Sequence, residues 1–231
     1  MQNTNQLLFK AADEGNYKLV EKYLALGARV DYQDNRPLKH AAARGYLDIV
    51  KTLLEHGADI HADDDKAFRW AAEKGHFETV KLLVEQGANI HANSSEAIKL
   101  CSQHNQLDIA KMLLDLGADI HDNSDFAVRA AAYKGNTEMV ALLCKRGADI
   151  HAQGDEALKA AVSNGKDETY KHIIFEQRIE LREQTKDWLV NNDLQEILQL
   201  FDKRDLNDKL QQKHPPKQVK KSKMKGFGMK I

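Results

Sequence analysis

The sequence lacks the features that mark several large classes of protein. Its 231 residues include 2 cysteines and 3 prolines, and 34 basic side chains stand against 35 acidic ones. Two cysteines are too few for a disulfide framework or for a four-cysteine zinc site. A net charge of −1 gives no overall signal for nucleic acid or an anionic membrane. The scarcity of proline favours a helix-rich structure.

Long apolar runs and catalytic motifs are also absent. No stretch approaches the ~18 apolar residues of a membrane-spanning helix, and the first residues, Met-Gln-Asn-Thr-Asn-Gln, lack the basic start of a signal peptide. We therefore expect an intracellular, cytoplasmic protein without membrane contact. The motifs of phosphate-binding loops, zinc proteases and serine hydrolases are missing. We expect no catalytic residues, no metal, no cofactor and no small-molecule substrate.

An internal repeat of 30 residues dominates the chain. One glycine recurs at this spacing at Gly27, Gly57, Gly87, Gly117 and Gly147. A second series occupies Gly15, Gly45, Gly75, Gly135 and Gly165, with Asn105 in the place of one glycine. Because asparagine is the commonest non-glycine residue with positive φ, both series predict left-handed residues that end helices.

Between the glycines, apolar residues recur with helical spacing. Each unit is therefore predicted to be two short antiparallel helices. The first helix carries small residues such as Ala71 and Ala72, and the second carries larger aliphatic residues such as Val80 and Leu83. Polar residues that favour helix N-caps precede the first helices, at Asn35, Asp65, Ser95, Asp125 and Asp155.

The unit resembles the ankyrin repeat. The resemblance rests on Ala-Ala-x-x-Gly and on Val-x-x-Leu-Leu-x-x-Gly-Ala-Asp-Ile at their mutual spacing, over residues 7–178. The unit has 30 residues instead of about 33 and lacks the Thr-Pro-Leu-His start. The resemblance implies an all-α solenoid of stacked helix-turn-helix units with shortened hairpin loops. Such short units resemble the ankyrin arrays of giant DNA viruses of amoebae, and amoeba-associated bacteria carry similar arrays.

The repeats divide the chain into four parts. An N-terminal extension, 1–6, precedes six repeats, predicted at 7–36, 37–66, 67–96, 97–126, 127–156 and 157–178. Residues 179–212 predict a helical C-terminal cap in which Trp188 and Phe201 pack on the sixth repeat. Residues 213–231 contain seven lysines and no acidic residue, and they predict a disordered basic tail.

Five successive repeats carry a cation at the same position of the first helix, which we call the cationic ladder: Lys39, Arg69, Lys99, Arg129 and Lys159. In the ankyrin family the first helix lines the concave side, where partners usually dock. The ladder therefore predicts a docking stripe for an acidic or extended partner segment. The alternative is that i,i+4 ion pairs, at Asp65/Arg69, Asp125/Arg129 and Asp155/Lys159, stabilise the helix starts.

Partner specificity is expected from positions that vary between repeats. The candidates are Arg44, Lys74, His104, Tyr133 and Phe126. Tyr133 and Phe126 are aromatic residues on a polar face, which is typical of binding hot spots and equally of side chains that cover a neighbouring loop. Trp70 occupies a position predicted to lie in the core. Cys101 and Cys144 are expected to be buried and inert.

A second ladder consists of histidines, at His61, His91, His121 and His151. A zinc ion needs all its ligands within ~2.1 Å, and residues one repeat apart are separated by several times that distance. We therefore predict a structural role, in which each imidazole bonds to the loop of the next repeat as the asparagine at this position does in the ankyrin family.

These features predict a monomeric, non-catalytic scaffold or adaptor that binds a protein partner on its concave inner-helix and loop surface. If the chain is viral, the partner is expected in the host cytoplasm. The alternative is a nucleic-acid-binding or nuclear factor that uses the lysine-rich tail, in which Lys220–Lys223 match a basic nuclear-import signal weakly. A salt titration distinguishes the two, because binding to many phosphates weakens steeply with salt.

Overall fold

The computed structural model describes residues 3–177 and 179–213, and the side chains within them up to Lys209. All regular elements in these ranges are helices. The chain divides into two compact units, residues 1–185 and 186–231. Arg178, predicted to end the sixth repeat, and the predicted basic tail beyond Lys213 lie outside the described residues.

The first compact unit is a stack of six helix pairs within its described residues, as the predicted solenoid requires. The first helices of the pairs are α1 (Thr4–Asp13), α3 (Tyr32–Ala43), α5 (Ala62–Lys74), α7 (Ala92–His104), α9 (Asp122–Lys134) and α11 (Ala152–Ser163). The second helices are α2 (Tyr17–Ala25), α4 (Leu47–Glu55), α6 (Phe77–Glu85), α8 (Leu107–Asp115), α10 (Thr137–Lys145) and α12 (Asp167–Phe175). We call the surface formed by the first helices the inner-helix face.

Left-handed residues end the helices, as the two glycine series predict. At Gly45, with φ of 73°, the backbone N–H of Gly45 bonds to the carbonyl of Ala42, and the N–H of Tyr46 bonds to that of Ala41. This pair of bonds is the Schellman arrangement, which satisfies carbonyls at the helix end. Asn105 adopts the same conformation with φ of 57°. The prediction that asparagine replaces glycine there is confirmed.

Small residues let the first helices pack closely on one another. Ala41 and Ala42 are fully buried between neighbouring repeats, and each first helix adds one larger core residue, such as Leu38 or Phe68. Second helices supply branched residues such as Val50, and they contact each other more sparsely than the first helices do. Each repeat therefore buries its apolar face mainly against its neighbours, as in other repeat proteins.

Three consecutive left-handed residues open each first helix from α3 to α11, and we call them the left-handed turn. In α5 they are Asp63, Asp64 and Asp65, with φ of 57°, 53° and 55°. This turn takes the place of a projecting hairpin, so the predicted shortened loops are confirmed. A non-glycine residue in this conformation costs roughly 1–2 kcal/mol. The turn therefore needs stabilising contacts from elsewhere in the repeat.

The second compact unit is described from Lys186 to Lys213. It contains the end of α13 (Glu183–Asn191) and α14 (Gln195–Lys213). The region predicted as a C-terminal cap is thus helical over most of its length, and its packing on the sixth repeat stays a prediction. Each helix in the described ranges is too short or too polar to span a lipid bilayer.

Candidate partner-binding surface

The arginines of the cationic ladder bind the left-handed turns. Arg69 donates from Nε to the carbonyl of Asp64 and from Nη2 to the carbonyl of Asp63, both at 2.8 Å. Arg129 makes the same two bonds to the carbonyls of its own turn, at 3.1 and 2.8 Å. These bonds offset the cost of the left-handed backbone. Both arginines therefore have a structural role that no partner is needed to explain.

The carboxylates expected to pair with these arginines bond instead to the next repeat. Oδ1 of Asp65 accepts from the backbone N–H of Asn89 at 2.9 Å, and Oδ1 of Asp125 accepts from that of Asp149 at 2.8 Å. The predicted i,i+4 pairs with the ladder arginines are therefore wrong. The predicted N-caps are also wrong, because positive φ replaces the extended backbone of an N-cap residue at Asn35, Asp65, Ser95, Asp125 and Asp155.

We call these links between repeats the loop bonds, and two further repeats contain them. Oδ1 of Asn5 accepts from the N–H of Arg29 at 2.9 Å, and Oδ1 of Asn35 accepts from that of Asp59 at 2.8 Å. Each acceptor lies 24 residues before its donor. Ser95 makes no such bond in the described structure, because the serine side chain is shorter than that of aspartate or asparagine. The series is interrupted there.

Three residues of the histidine ladder, His61, His121 and His151, bond to the carboxylate four residues further on in the same repeat, whereas His91 has Ser95 at that position. Nδ1 of His61 lies 3.1 Å from Oδ1 of Asp65, and Nδ1 of His151 lies 2.5 Å from Oδ1 of Asp155. The predicted bond from histidine to the next repeat is wrong, since the aspartate or asparagine occupies that N–H. No cluster of three histidine, cysteine or acidic side chains in the described ranges is arranged to hold a metal.

The two described ladder lysines with resolved ion pairs are largely withdrawn from solvent. Nζ of Lys39 lies 2.8 Å from Asp34 and 3.4 Å from Asp63, and Nζ of Lys99 lies 2.9 Å from Asp122. Their side chains are 10% and 16% exposed. A partner could reach them only by displacing these carboxylates. The geometry therefore gives the two lysines a structural role in the free protein.

Arg69 and Arg129 differ in their second contact. Arg69 also donates to the carboxylate of Glu96 in the next repeat, and its side chain is 9% exposed. Arg129 has no carboxylate partner in the described part of the chain, and its guanidinium lies 5.5 Å from the centroid of the Phe126 ring. Lys159, in the last rung, is half-buried. Arg129 is thus a fixed cation that faces solvent in part.

Three residues predicted from the sequence meet in a cleft on the inner-helix face. Phe126, Arg129 and Tyr133 line a cavity of about 310 Å³. The other lining residues are Gln103, Ala130, Lys134, Glu156 and Ala160. Tyr133 is 51% exposed, and Nζ of Lys134 lies 5.6 Å from the centroid of its ring. The cleft therefore combines two aromatic rings and two cations of α9 with residues of α7 and α11.

Small side chains at one repeat position leave this cleft open. Ala130 and Ala160, each 8% exposed, form its floor. The equivalent residues of the preceding repeats are His40, Trp70 and Leu100, all larger and all half-buried. Side chains of that size would occupy the space beside the aromatic rings. The sequence change from large to small residues thus creates the cavity in the fifth and sixth repeats.

Arg44 lies at the other end of the stack, outside the cleft. Its Nε and Nη2 bond to Asp13 at 2.9 and 3.3 Å, and Nδ1 of His40 lies 2.9 Å from the same carboxylate. Burial raises the pKa of Asp13, but the hydrogen bonds from His40 and Arg44 outweigh it and hold that pKa below its ordinary value. Arg44 therefore links the first two repeats.

Lys74 and His104 gather around one carboxylate. Nζ of Lys74 lies 2.8 Å from Oε1 of Glu73, and Nε2 of His104 lies 3.9 Å from the same oxygen. All three belong to the inner-helix face, and none lines the cleft of the fifth repeat. The structure thus brings together Phe126, Arg129 and Tyr133, and it distributes the other predicted residues along the stack.

An aromatic row on the same face was missed from the sequence. The Phe9 and His40 rings meet edge-to-face at 4.9 Å, and the His40 and Trp70 rings at 5.9 Å. Arg36 lies 4.1 Å from the Phe9 ring centroid and Lys66 lies 5.0 Å from that of Trp70. The prediction that Trp70 lies in the core is wrong, because Trp70 lies on the inner-helix face and is half-buried. Comparing residues thirty apart places His40 and Trp70 at one repeat position, but it does not find Phe9, which lies 31 residues before His40.

The two cysteines are free thiols. Cys101 is buried as predicted, and burial raises its pKa to about 12. Cys144 is only half-buried, which corrects the prediction. Burial, with the nearby carboxylates of Asp125 and Asp149, also raises the pKa of Cys144 to about 12. Both remain protonated near neutral pH, so neither is an activated nucleophile.

Comparison with known families matches the repeats directly. A family model described as ankyrin repeats in three copies matches residues 1–64 and 62–124. A model of the single ankyrin repeat matches residues 127–155. No curated protein sequence matches the chain. The matched segments include the aromatic row and the cleft residues Arg129, Ala130, Tyr133 and Lys134, whereas Phe126 lies between two of the segments.

Proposed function

Because the chain belongs to the ankyrin repeat family, we propose that it is a monomeric adaptor that binds a partner protein on its concave inner-helix and loop surface. Ankyrin repeats are generally protein–protein interaction modules, and the family is typically a non-catalytic scaffold. The docking centre that we propose is the cleft of Phe126, Arg129 and Tyr133. The single observation that carries this choice is that half-exposed Tyr133 lies beside Arg129, a cation with no carboxylate partner in the described part of the chain.

The rigidity of the cleft supports this proposal. Arg129 is fixed by two bonds to backbone carbonyls, and its side chain therefore loses little conformational freedom when a partner binds. The aromatic rings of Phe126 and Tyr133 stand on one first helix, α9, which packs on both α7 and α11. Tyrosine and arginine are the residue types most enriched among binding hot spots. Because these residues are preorganised, they favour docking in the cleft. The rungs at Lys39 and Lys99 are less suitable, because carboxylates already neutralise their charges.

Affinity capture followed by mass spectrometry tests the proposal. The bait is the full chain, compared with a Tyr133→Ser/Arg129→Gln variant, after circular dichroism has shown that both fold. Arg36→Gln is the matched control, because Arg36 is a cation over an aromatic ring on the same face but outside the cleft. We expect one reproducible partner to be lost with the double variant alone, and its purified form to bind directly. Equal capture by all three baits would refute the cleft.

We also propose that this adaptor acts in the cytoplasm, in that of a host cell if the chain is viral. The resemblance of the short repeats to those of amoebal viruses supports the host setting, and two free thiols are compatible with a reducing compartment. Fluorescence microscopy of the tagged full chain tests the location. A nuclear signal that disappears when Lys220, Lys221 and Lys223 are changed to glutamine would contradict it and assign the tail an import role.

A further inference from the structure

The cleft carries an uncompensated positive charge. Arg129 and Lys134 line it, and neither has a carboxylate partner among the described side chains, whereas Arg69 is paired with Glu96. Glu156 is the one acidic residue of the lining, and it is exposed and forms no ion pair in the described structure. A carboxylate brought in by a partner would restore the pairing that Arg69 already has.

The orientation of Arg129 favours a carboxylate over other acceptors. Nε and Nη2 each donate to a backbone carbonyl, which fixes the plane of the guanidinium. The N–H groups of Nη1 make no hydrogen bond in the described structure and remain available. Arginine presents its donors in a planar fork that matches carboxylate geometry. Since the fork is already oriented, the partner's carboxylate meets a prepared site.

The remainder of the cleft fits an apolar side chain. Phe126 and Tyr133 form its aromatic walls, and Ala130 and Ala160 form an apolar floor. Its volume of about 310 Å³ is at the lower end of the range of ~300–1,000 Å³ for small-molecule pockets. This space suits one or two bulky side chains of an extended segment better than a folded surface.

Resting on the proposed adaptor function, we infer that the cleft binds an extended partner segment in which an aspartate or glutamate lies next to a bulky apolar or aromatic residue. The acidic side chain pairs with Arg129, with Lys134 beside it, and the apolar side chain enters between Phe126 and Tyr133. The charge of the cleft and its apolar floor together define this pattern.

Short synthetic peptides with acetylated and amidated ends provide the probe, so that no terminal charge contributes. Four sets share randomised flanks and differ in a central pair: Asp-Phe, Asn-Phe, Lys-Phe or Asp-Ala. Fluorescence anisotropy with the full chain measures binding of each set, followed by the Kd of the best individual peptides. We expect the Asp-Phe set to bind best, with about tenfold weaker binding after the Asp-to-Asn change.

Three variants locate the bound peptides. Arg129→Gln is expected to abolish the preference for Asp-Phe over Asn-Phe peptides. Ala130→Leu, which installs the residue type of Leu100 at the equivalent position, is expected to weaken all Phe-containing peptides at least tenfold by filling the cleft. Arg36→Gln is the matched control and should leave every Kd unchanged.

The outcomes separate this inference from the proposed function. In one outcome Ala130→Leu weakens peptide binding, which places the peptides in the cleft, but Asp-Phe and Asn-Phe peptides bind equally well. This outcome would overturn the inference and leave the proposed docking centre intact. Peptides that bind wild type and Ala130→Leu equally would overturn the proposed docking centre as well. Absence of binding by all four sets would overturn both.

Discussion

The third and fifth repeats present the same helix to the inner face, but one is closed and the other is open. In the third repeat, Arg69 is paired with Glu96, and the large Trp70 stands at the position that Ala130 has in the fifth repeat. In the fifth repeat, Arg129 binds its turn in the same way with no carboxylate partner among the described residues, and Ala130 leaves a cavity. A ladder arginine can therefore stabilise its left-handed turn whether or not a carboxylate pairs with it. Two side chains, Glu96 and Trp70, distinguish the rung at Arg69 from the cleft at Arg129 that we propose as a docking surface.

Removing the ladder arginine should lower the free energy of unfolding more in the third repeat than in the fifth. Arg69→Ala removes the cation from the Glu96 carboxylate, which keeps only the hydrogen bond from Asn93, and it removes the donors to two turn carbonyls. We therefore expect a loss of about 2–3 kcal/mol in the free energy of unfolding. Arg129→Ala leaves only the carbonyls of a more exposed turn, and we expect about 1 kcal/mol. Urea unfolding followed by circular dichroism measures both. Equal losses would contradict the structural difference between the two repeats.

The helix ends offer a second comparison of the same repeats. Gly75 and Gly135 both have φ of 84°, so an added Cβ is strained at either. At Gly75 it would also collide with the Gln106 side chain, and at Gly135 it would lie 2.8 Å from Cδ of the flexible Lys166. We expect losses of about 2 kcal/mol for Gly75→Ala and about 1 kcal/mol for Gly135→Ala.

Thermal melts of the two alanine variants, run beside urea titrations, check this difference. A melting temperature unchanged from wild type in either variant would contradict the left-handed helix end. If Gly135→Ala proved the more damaging, the side chain of Lys166 would be less adaptable than its length indicates.

Exchanging the residue at the open position should close the fifth repeat. Ala130→Trp installs the side chain of Trp70, and we expect peptide or partner binding to weaken about tenfold or more. Stability should change by less than about 1 kcal/mol, because Ala130 borders a cavity. Isothermal titration calorimetry with the captured partner measures the first effect. Undiminished affinity would show that the partner docks elsewhere on the inner-helix face.

The smallest expected effect is on the stability of the protein at acidic pH. The hydrogen bond from Lys66, with the charge of Lys39, holds the pKa of Asp63 below its ordinary value of 3.8. The stabilisation is therefore present above that value and is lost as the pH falls through the lower folded pKa. The fifth repeat has Asn123 at this position and has no such dependence. Urea midpoints can be measured from about pH 5 to about pH 2.5, the range in which carboxyl groups titrate. They should fall less steeply with decreasing pH in Asp63→Asn than in the wild type.

The sequence was sufficient to predict the stack, because its period fixes both helix ends and core. Gly45 and Asn105 stand where a left-handed residue is required, and the helical spacing of apolar residues determines which face is buried. The chemistry of the turns was not predictable in the same way. Asp65 reads as an N-cap in sequence, but three consecutive left-handed residues turn its carboxylate towards the next repeat.

The cleft was predicted only in part. Phe126, Tyr133 and Arg129 were each identified as candidates, since aromatic and cationic residues at variable positions favour recognition. Their convergence depends on Ala130 and Ala160, whose small size has meaning only when the larger residues of other repeats are placed beside them. The pairing of Lys39 and Lys99 with carboxylates required coordinates, because their partners stand five and more residues away in the sequence.

Serine at position 95 has a mechanical consequence. The loop bonds made by Asn35, Asp65 and Asp125 act as clamps between successive repeats, and among the described residues Ser95 makes no such bond to Asp119. Bending of the stack is therefore expected to concentrate at this seam, which works as a hinge. Because Gln103 precedes the seam and the aromatic walls follow it, flexing there would change the width of the cleft opening.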